Sequence, residues 1–165
     1  MKKIFTAIVV ALLFLGCSSN SQENKNVEAK LAVGKSLQSL SLKDQNEKPE
    51  SIKEDTKIVF FSFSKPTGHA CNAFLESKPA DFLAQHHAVY VADVSAAPGI
   101  IKNMFFLPDL KELKFPILLI NDDKLSAEYQ KGMQTDAIVV VHLDNFKITK
   151  IDNLKDEKEL EALFE

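Results

Sequence analysis

The sequence predicts an α/β fold, a three-layer sandwich with a central mixed sheet between helices and a hairpin leading into it. Three observations carry this. KIVFFSF, residues 57–63, is apolar without alternation, as in a strand covered on both faces. AVYVADV and FPILLIND follow, each succeeded by a helical pattern, the rhythm of strands joined through crossover helices. AIVVVHLDNFKITKI then changes to a β-hairpin pattern and NLKDEKELEALF ends the chain with a helical stripe, so the sheet is mixed rather than wholly parallel.

Residues 1–16 have the order of a secretory signal: Lys2 and Lys3, an apolar run from Ile4 to Leu15, then Gly16 ahead of Cys17. The run is shorter than the roughly 20 residues a membrane-crossing helix needs. FLGCSS resembles a bacterial lipobox, with Phe14 where leucine is commoner. That resemblance implies cleavage before Cys17, diacylglycerol on its sulfur, and acylation of the new N-terminus by a fatty acid such as palmitate. Several acyl chains hold a protein stably where one binds only marginally. Ser18, not aspartate, follows the cysteine, a pattern that looks like an outer-membrane lipoprotein in enteric-type bacteria. The expectation is a cell-envelope protein, lipid-anchored on the periplasmic face of the outer membrane. Residues 17–33 are then the lipidated cysteine and a polar tether, SSNSQENKNVEAK, and residues 34–165 one undivided domain.

The formal charge of the 165 residues is −3, and −5 without Lys2 and Lys3. The lysines alternate with acids, as in NLKDEKELEALFE, which makes a solvated face and argues against nucleic acid as a partner. Expected partners are the membrane, through the lipid, and an envelope protein or a thiol reductant.

Within the domain, Leu37, Leu40 and Leu42 bracket an extended piece and KDQNEKP is turn chemistry, which together predict two short strands or a loose hairpin. After the strand at 57–63, Lys65-Pro66 favours extended backbone and Gly68 permits a sharp turn. A helix is predicted from about Ala70, with Cys71, Phe74 and Leu75 on one side. Pro79 stops it and opens another that carries Phe82 and Leu83. A strand spans 88–94, and Ser95 or a neighbour caps a helix with Ile100, Ile101, Met104 and Phe105 that Pro108 interrupts. A third strand spans 116–120, and KLSAEYQKG is a helix ended by Gly132. Residues 138–141 are β-branched, Asp144-Asn145 is a tight turn, and 146–151 is the partner strand. Asn153 caps the last helix, whose stripe is Leu154, Leu160, Leu163 and Phe164.

This order resembles the thioredoxin-like superfamily, more closely its peroxiredoxin and thiol-disulfide oxidoreductase lipoprotein branches. GKSLQSLSLKDQNEKPESIKED looks like the lead-in hairpin of that branch, with Glu47 where glycine would be usual in its turn. KIVFFSF looks like the strand that delivers the reactive cysteine, and TDAIVVVHLDNFKITKI like the last two strands. The resemblance spans Gly34 to the C-terminus. A thioredoxin-type site has C-x-x-C at the strand-to-helix turn, whereas this spacing, ended at Cys71, begins with Gly68. Against the peroxiredoxin pattern P-x-x-x-T-x-x-C, Ser64 and Gly68 stand where proline and threonine belong. Asp136 follows Thr135 where the family has a cis-proline, and Pro116 precedes an earlier strand.

Cys17 and Cys71 are the only cysteines, so with Cys17 lipidated the domain holds one thiol and disulfide chemistry needs an outside partner. Two readings of Cys71 stand. A thiol in the first turn of a helix faces unpaired N–H groups that lower its pKa, with His69 as proton acceptor or positive charge and Thr67 as a hydrogen-bond donor. Alternatively Cys71 is a small apolar core residue, as free cysteine often is. The first reading makes the chain a single-cysteine thiol or peroxide reductase with an external thiol reductant. The second makes it a thioredoxin-like lipoprotein without disulfide exchange, in an envelope binding or assembly role. No phosphate loop, HExxH pattern, metal-ligand set or cofactor motif appears.

Overall fold

The computed structural model describes residues 27–101, 104 and 107–165. The predicted signal sequence and Cys17 lie outside them. Strands β1 (Ser41–Asp44) and β2 (Pro49–Ser51) form the predicted lead-in hairpin. Then come β3 (Ile58–Ser62), α1 (Lys65–Glu76), α2 (Phe82–Gln85), β4 (Ala88–Asp93), α3 (Gly99–Ile101) and α4 (Leu107–Lys111). The chain ends with β5 (Leu118–Ile120), α5 (Asp123–Gln130), β6 (Ile138–Asp144), β7 (Lys147–Leu154) and α6 (Glu157–Ala162).

One seven-stranded sheet runs in the order β2-β1-β5-β4-β3-β6-β7. β3, β4 and β5 are mutually parallel, and the hairpins on either side join them antiparallel, giving the mixed sheet and thioredoxin-like sandwich that the sequence predicts. β3 lies between β4 and β6, so its unbroken apolar run is buried on both faces. Phe60 points to one face with Tyr90, Val140 and the inner sides of α1, α2, α4 and α6. Val59 and Phe61 point to the other, with Leu31, Leu42, Tyr129 of α5 and Ile148. Phe60 stacks on Tyr90 at 5.0 Å and Phe61 on Tyr129 at 5.7 Å, so each core is centred on an aromatic pair. Fully burying side chains of this size stabilises the fold by roughly 1.5–3 kcal/mol each.

Several boundaries differ from the sequence expectation. Leu31, within the stretch read as tether, is 1% exposed in the second core, and Lys30 N–H bonds the Glu128 carbonyl of α5 at 2.9 Å. Phe146 belongs to the turn, not to the partner strand: Asn145 and Phe146 have φ of 45° and 66°, the left-handed pair of a two-residue hairpin. Packing of Phe146 against the second core holds an aromatic where glycine is usual. The last helix is capped by Asp156, whose carboxylate accepts from Lys158 and Glu159 N–H, because β7 runs on through Asn153 to Leu154. No described peptide bond is cis, so Pro116 is trans.

The junction between β1 and β5 is held by a side chain. Gln45, 3% exposed, donates from Nε2 to the Phe115 carbonyl at 2.8 Å and accepts from Ile117 N–H at 2.9 Å. It satisfies the backbone on either side of Pro116, which has no N–H to offer a ladder.

Candidate functional site

The strand-to-helix turn after β3 forms at Ser64, not at Gly68. Ser64 is the extended residue before α1 (φ −139°, ψ 160°), and Pro66 sits in the first turn, where its missing N–H costs nothing. Gly68 is inside the helix, without positive φ, and donates its N–H to the Ser64 carbonyl at 2.9 Å. The helix therefore starts at Lys65, about five residues before the sequence expectation, and Cys71 is its seventh residue rather than part of its first turn.

That shift decides the chemistry at the turn. Ser64, the residue before α1, and Thr67, three residues on, stand at the strand-to-helix turn. Thr67 Oγ1 donates to the Ser64 carbonyl at 2.9 Å and lies 3.1 Å from Ser64 N and 3.0 Å from Ser64 Oγ. Its one hydrogen is committed, so it accepts from both Ser64 groups and the Ser64 hydroxyl is a donor in that pair. Two hydroxyls thus face each other at this turn. A hydroxyl pair cannot cycle through a disulfide.

Cys71 faces the first core. It is fully buried with Phe74 and Leu75 beneath the sheet, against Tyr90. Burial pushes its thiol up to about 12, against a smaller opposing effect of the Tyr90 hydroxyl. The same burial, with the thiol's own charge, drives the Tyr90 phenol upward, and Ser62 Oγ meets its oxygen at 2.9 Å. The structure does not bring the three predicted site residues together: Thr67 is buried and bonded to Ser64, while His69 is exposed, and no hydrogen bond among the described residues joins either to Cys71.

The surface above the turn is a cleft of about 400 Å³ at the C-terminal ends of β3 and β4, where open α/β sheets commonly bind ligands. Ser64, Lys65, His69 and Asn72 form its α1 wall, and Val94, Ala97 and Leu110 the apolar wall opposite. Ser62 and Tyr90 reach its floor. Asp93, at the end of β4, is tied down: Oδ2 accepts from Ser126 Oγ (2.5 Å) and Gln130 Nε2 (2.8 Å), and Oδ1 from Ser95 N–H (2.9 Å). It braces the wall against α5 and holds the Ser95 N–H in the loop after β4, four residues before α3 begins at Gly99. Beyond it Ile100 and Met104 are exposed apolar residues, at 75% and 64%.

The sequence reading gave Ser64 no site role and set Thr67 beside Cys71 rather than Ser64, because Cys71 drew the register to itself. The available signal was Ser64 with Thr67 three residues on and Pro66 between them, the pattern of a helix start.

No protein-family model and no curated protein matches the chain. Solved structures do. A bacterioferritin comigratory protein from Xanthomonas campestris, described for its alkyl peroxide reduction activity, superposes with a TM-score of 0.52 at 10% identity, over 82% of this chain and 94% of that one. The thioredoxin domain of a thiol-disulfide oxidoreductase from Bacteroides vulgatus gives 0.50 at 12% identity, over 81% and 98%. StoA from Bacillus subtilis gives 0.50 at 13% identity, over 76% and 96%. At these identities the likeness establishes the fold.

Proposed function

We propose that the chain is a membrane-anchored, thioredoxin-like lipoprotein that binds or helps assemble other envelope components and does not perform disulfide exchange. The observation that carries this is the occupancy of the strand-to-helix turn by the Ser64 and Thr67 hydroxyls, while Cys71 is sealed beneath the sheet. The cleft above the turn, half lined by α1 polar groups and half by apolar side chains, is the binding surface. Attachment through lipid on Cys17 and a place on the periplasmic face of the outer membrane are parts of the same proposal, resting on FLGCSS and the polar stretch after it. Incorporation of labelled palmitate, lost in Cys17→Ser, tests the anchor.

A second reading is favoured by the company of the fold: its structural neighbours include a thiol-disulfide oxidoreductase and a protein described for alkyl peroxide reduction. On that reading Cys71 is the single thiol of a thiol or peroxide reductase, His69 and Thr67 assist it, and an external thiol restores it. The thiol must then become accessible by opening of α1. Alkylation of Cys71 in the folded protein, followed against pH with the urea-unfolded chain as reference, separates the two. Labelling no faster than global unfolding supports the binding reading. Labelling well below the ordinary thiol range, near pH 8.5, or peroxide consumption abolished by Cys71→Ser, supports the reductase.

A further inference from the structure

We propose that a second cavity, beside the first half of β4, binds a short, neutral, extended peptide unit that pairs with the β4 edge as an added length of strand. The argument starts from the ladder. β5 pairs with β4 only at Val91–Asp93, and β5 itself begins at Leu118. Val94 N–H donates to the Ile120 carbonyl, so even-numbered residues of β4 direct their backbone groups toward the β5 side. His87, odd-numbered, gives its carbonyl to Lys57 and Ile58 on the β3 side, which fixes the same alternation. The Ala88 N–H, the Ala88 carbonyl and the Tyr90 N–H therefore point where β5 does not reach. They have no backbone or side-chain partner among the described residues, although Ala88 is 7% and Tyr90 1% exposed. Buried backbone groups are nearly always paired, with protein, ligand or water, and these lie on a cavity where an added strand can take the place of water.

The chain cannot fill this place itself. Extending β5 backwards meets Pro116, and the backbone on either side of it is already claimed by Gln45. What remains is a cavity of about 300 Å³ at Ala88, Val89 and Tyr90, open to solvent and lined by Leu83 and Ala84 of α2 and by Ser51 of β2. Donor, acceptor and donor follow one another along its edge. An extended peptide unit offers the complementary acceptor, donor and acceptor, while its side chain meets apolar walls. The lining charges are of both signs: Asp55 is held by His87 at 3.0 Å and Glu50 by Lys48 at 2.5 Å, and Lys53 stands with them. That mixture favours a neutral occupant.

The test is titration of the isotope-labelled domain with N-acetyl-L-leucine N-methylamide, read at the Ala88 and Tyr90 amides. Saturable shifts confined to Ala88–Tyr90 and the facing Ser51 and Ala84, with exchange of the Ala88 and Tyr90 amides slowed roughly tenfold at saturation, are expected. Ala84 and Ser51 are exposed, so Ala84→Trp and Ser51→Trp block the cavity from opposite walls while leaving the cores intact, and either should abolish the shifts without lowering the melting temperature. Absence of saturable shifts at those amides, or shifts that persist in both tryptophan variants, overturns the proposal.

Discussion

The Ser64 hydroxyl lies 3.0 Å from Thr67 Oγ1, one helical turn away, at the point where β3 hands over to α1. A thiol at Ser64 would face the unpaired amides of a helix start, unlike the thiol of Cys71. Ser64→Cys is therefore expected to give a thiol with a pKa below the ordinary value of about 8.5, labelled by iodoacetamide at neutral pH at least roughly a hundredfold faster than Cys71. Ser64→Cys with Thr67→Cys should close a reversible disulfide, counted by free thiols after unfolding. A Ser64→Cys thiol as inert as Cys71 would contradict the geometry.

Cys71 should behave as part of the core. Cys71→Ser places a hydroxyl among Phe74, Leu75 and Tyr90 and is expected to cost about 1–3 kcal/mol, more than Cys71→Ala, measured as the shift in urea unfolding. If the serine variant is as stable as wild type and a reductase activity disappears, the sulfur is there for chemistry.

Alkaline stability follows from the same burial. The thiol's folded-state pKa is raised to about 12, above its unfolded value, so folding favours the protonated form. That contribution is fully present below the unfolded thiol range and is lost as pH rises through it toward 12. Urea midpoints should therefore fall from about pH 9 upward, with a shallower fall in Cys71→Ala. Equal slopes in the two proteins would mean that the thiol is not the titrating group.

Glu47 closes the β1–β2 turn with φ +64°, a left-handed conformation costing a side-chain-bearing residue roughly 1–2 kcal/mol. Glu47→Gly relieves this at the expense of a more flexible unfolded chain. The expected outcome is a gain of about 0.5–1 kcal/mol in urea unfolding, and a loss would show that the Glu47 side chain makes an unrecognised contribution.

Gly68 presents the reverse case. A Cβ there would meet Ser62 Oγ at 3.7 Å and Tyr90 OH at 4.0 Å, ordinary contacts, and the backbone is helical. Gly68→Ala should raise stability by up to about 1 kcal/mol, seen as a higher melting temperature. Destabilisation would indicate that the first turn of α1 needs glycine to move.

The sheet and both cores were legible because their signals are local: four consecutive apolar residues in β3, the β-branched run of β6, spacing of Phe74 and Leu75. The candidate site was less so. Pro66 and Gly68 look like chain breakers in isolation, and only the position of Ser64 after β3 turns them into first-turn residues of a helix. Glu47 in its left-handed turn fits the lead-in hairpin pattern despite its side chain. Gln45 was illegible in principle, since its partners Phe115 and Ile117 lie some seventy positions away and nothing local marks a glutamine for burial.

Gln45 is also one of the few polar ties between the lead-in hairpin and the rest of the sheet. The β1–β2 hairpin meets β5 through two residue pairs and this one amide, whereas β6 and β7 are zipped over seven. Leu42 and Ile52 also pack the hairpin into the second core, so its release would expose apolar surface as well as break this seam. The border of the molecule nearest Ala88 is thus joined to the sheet by fewer backbone pairs than the opposite border.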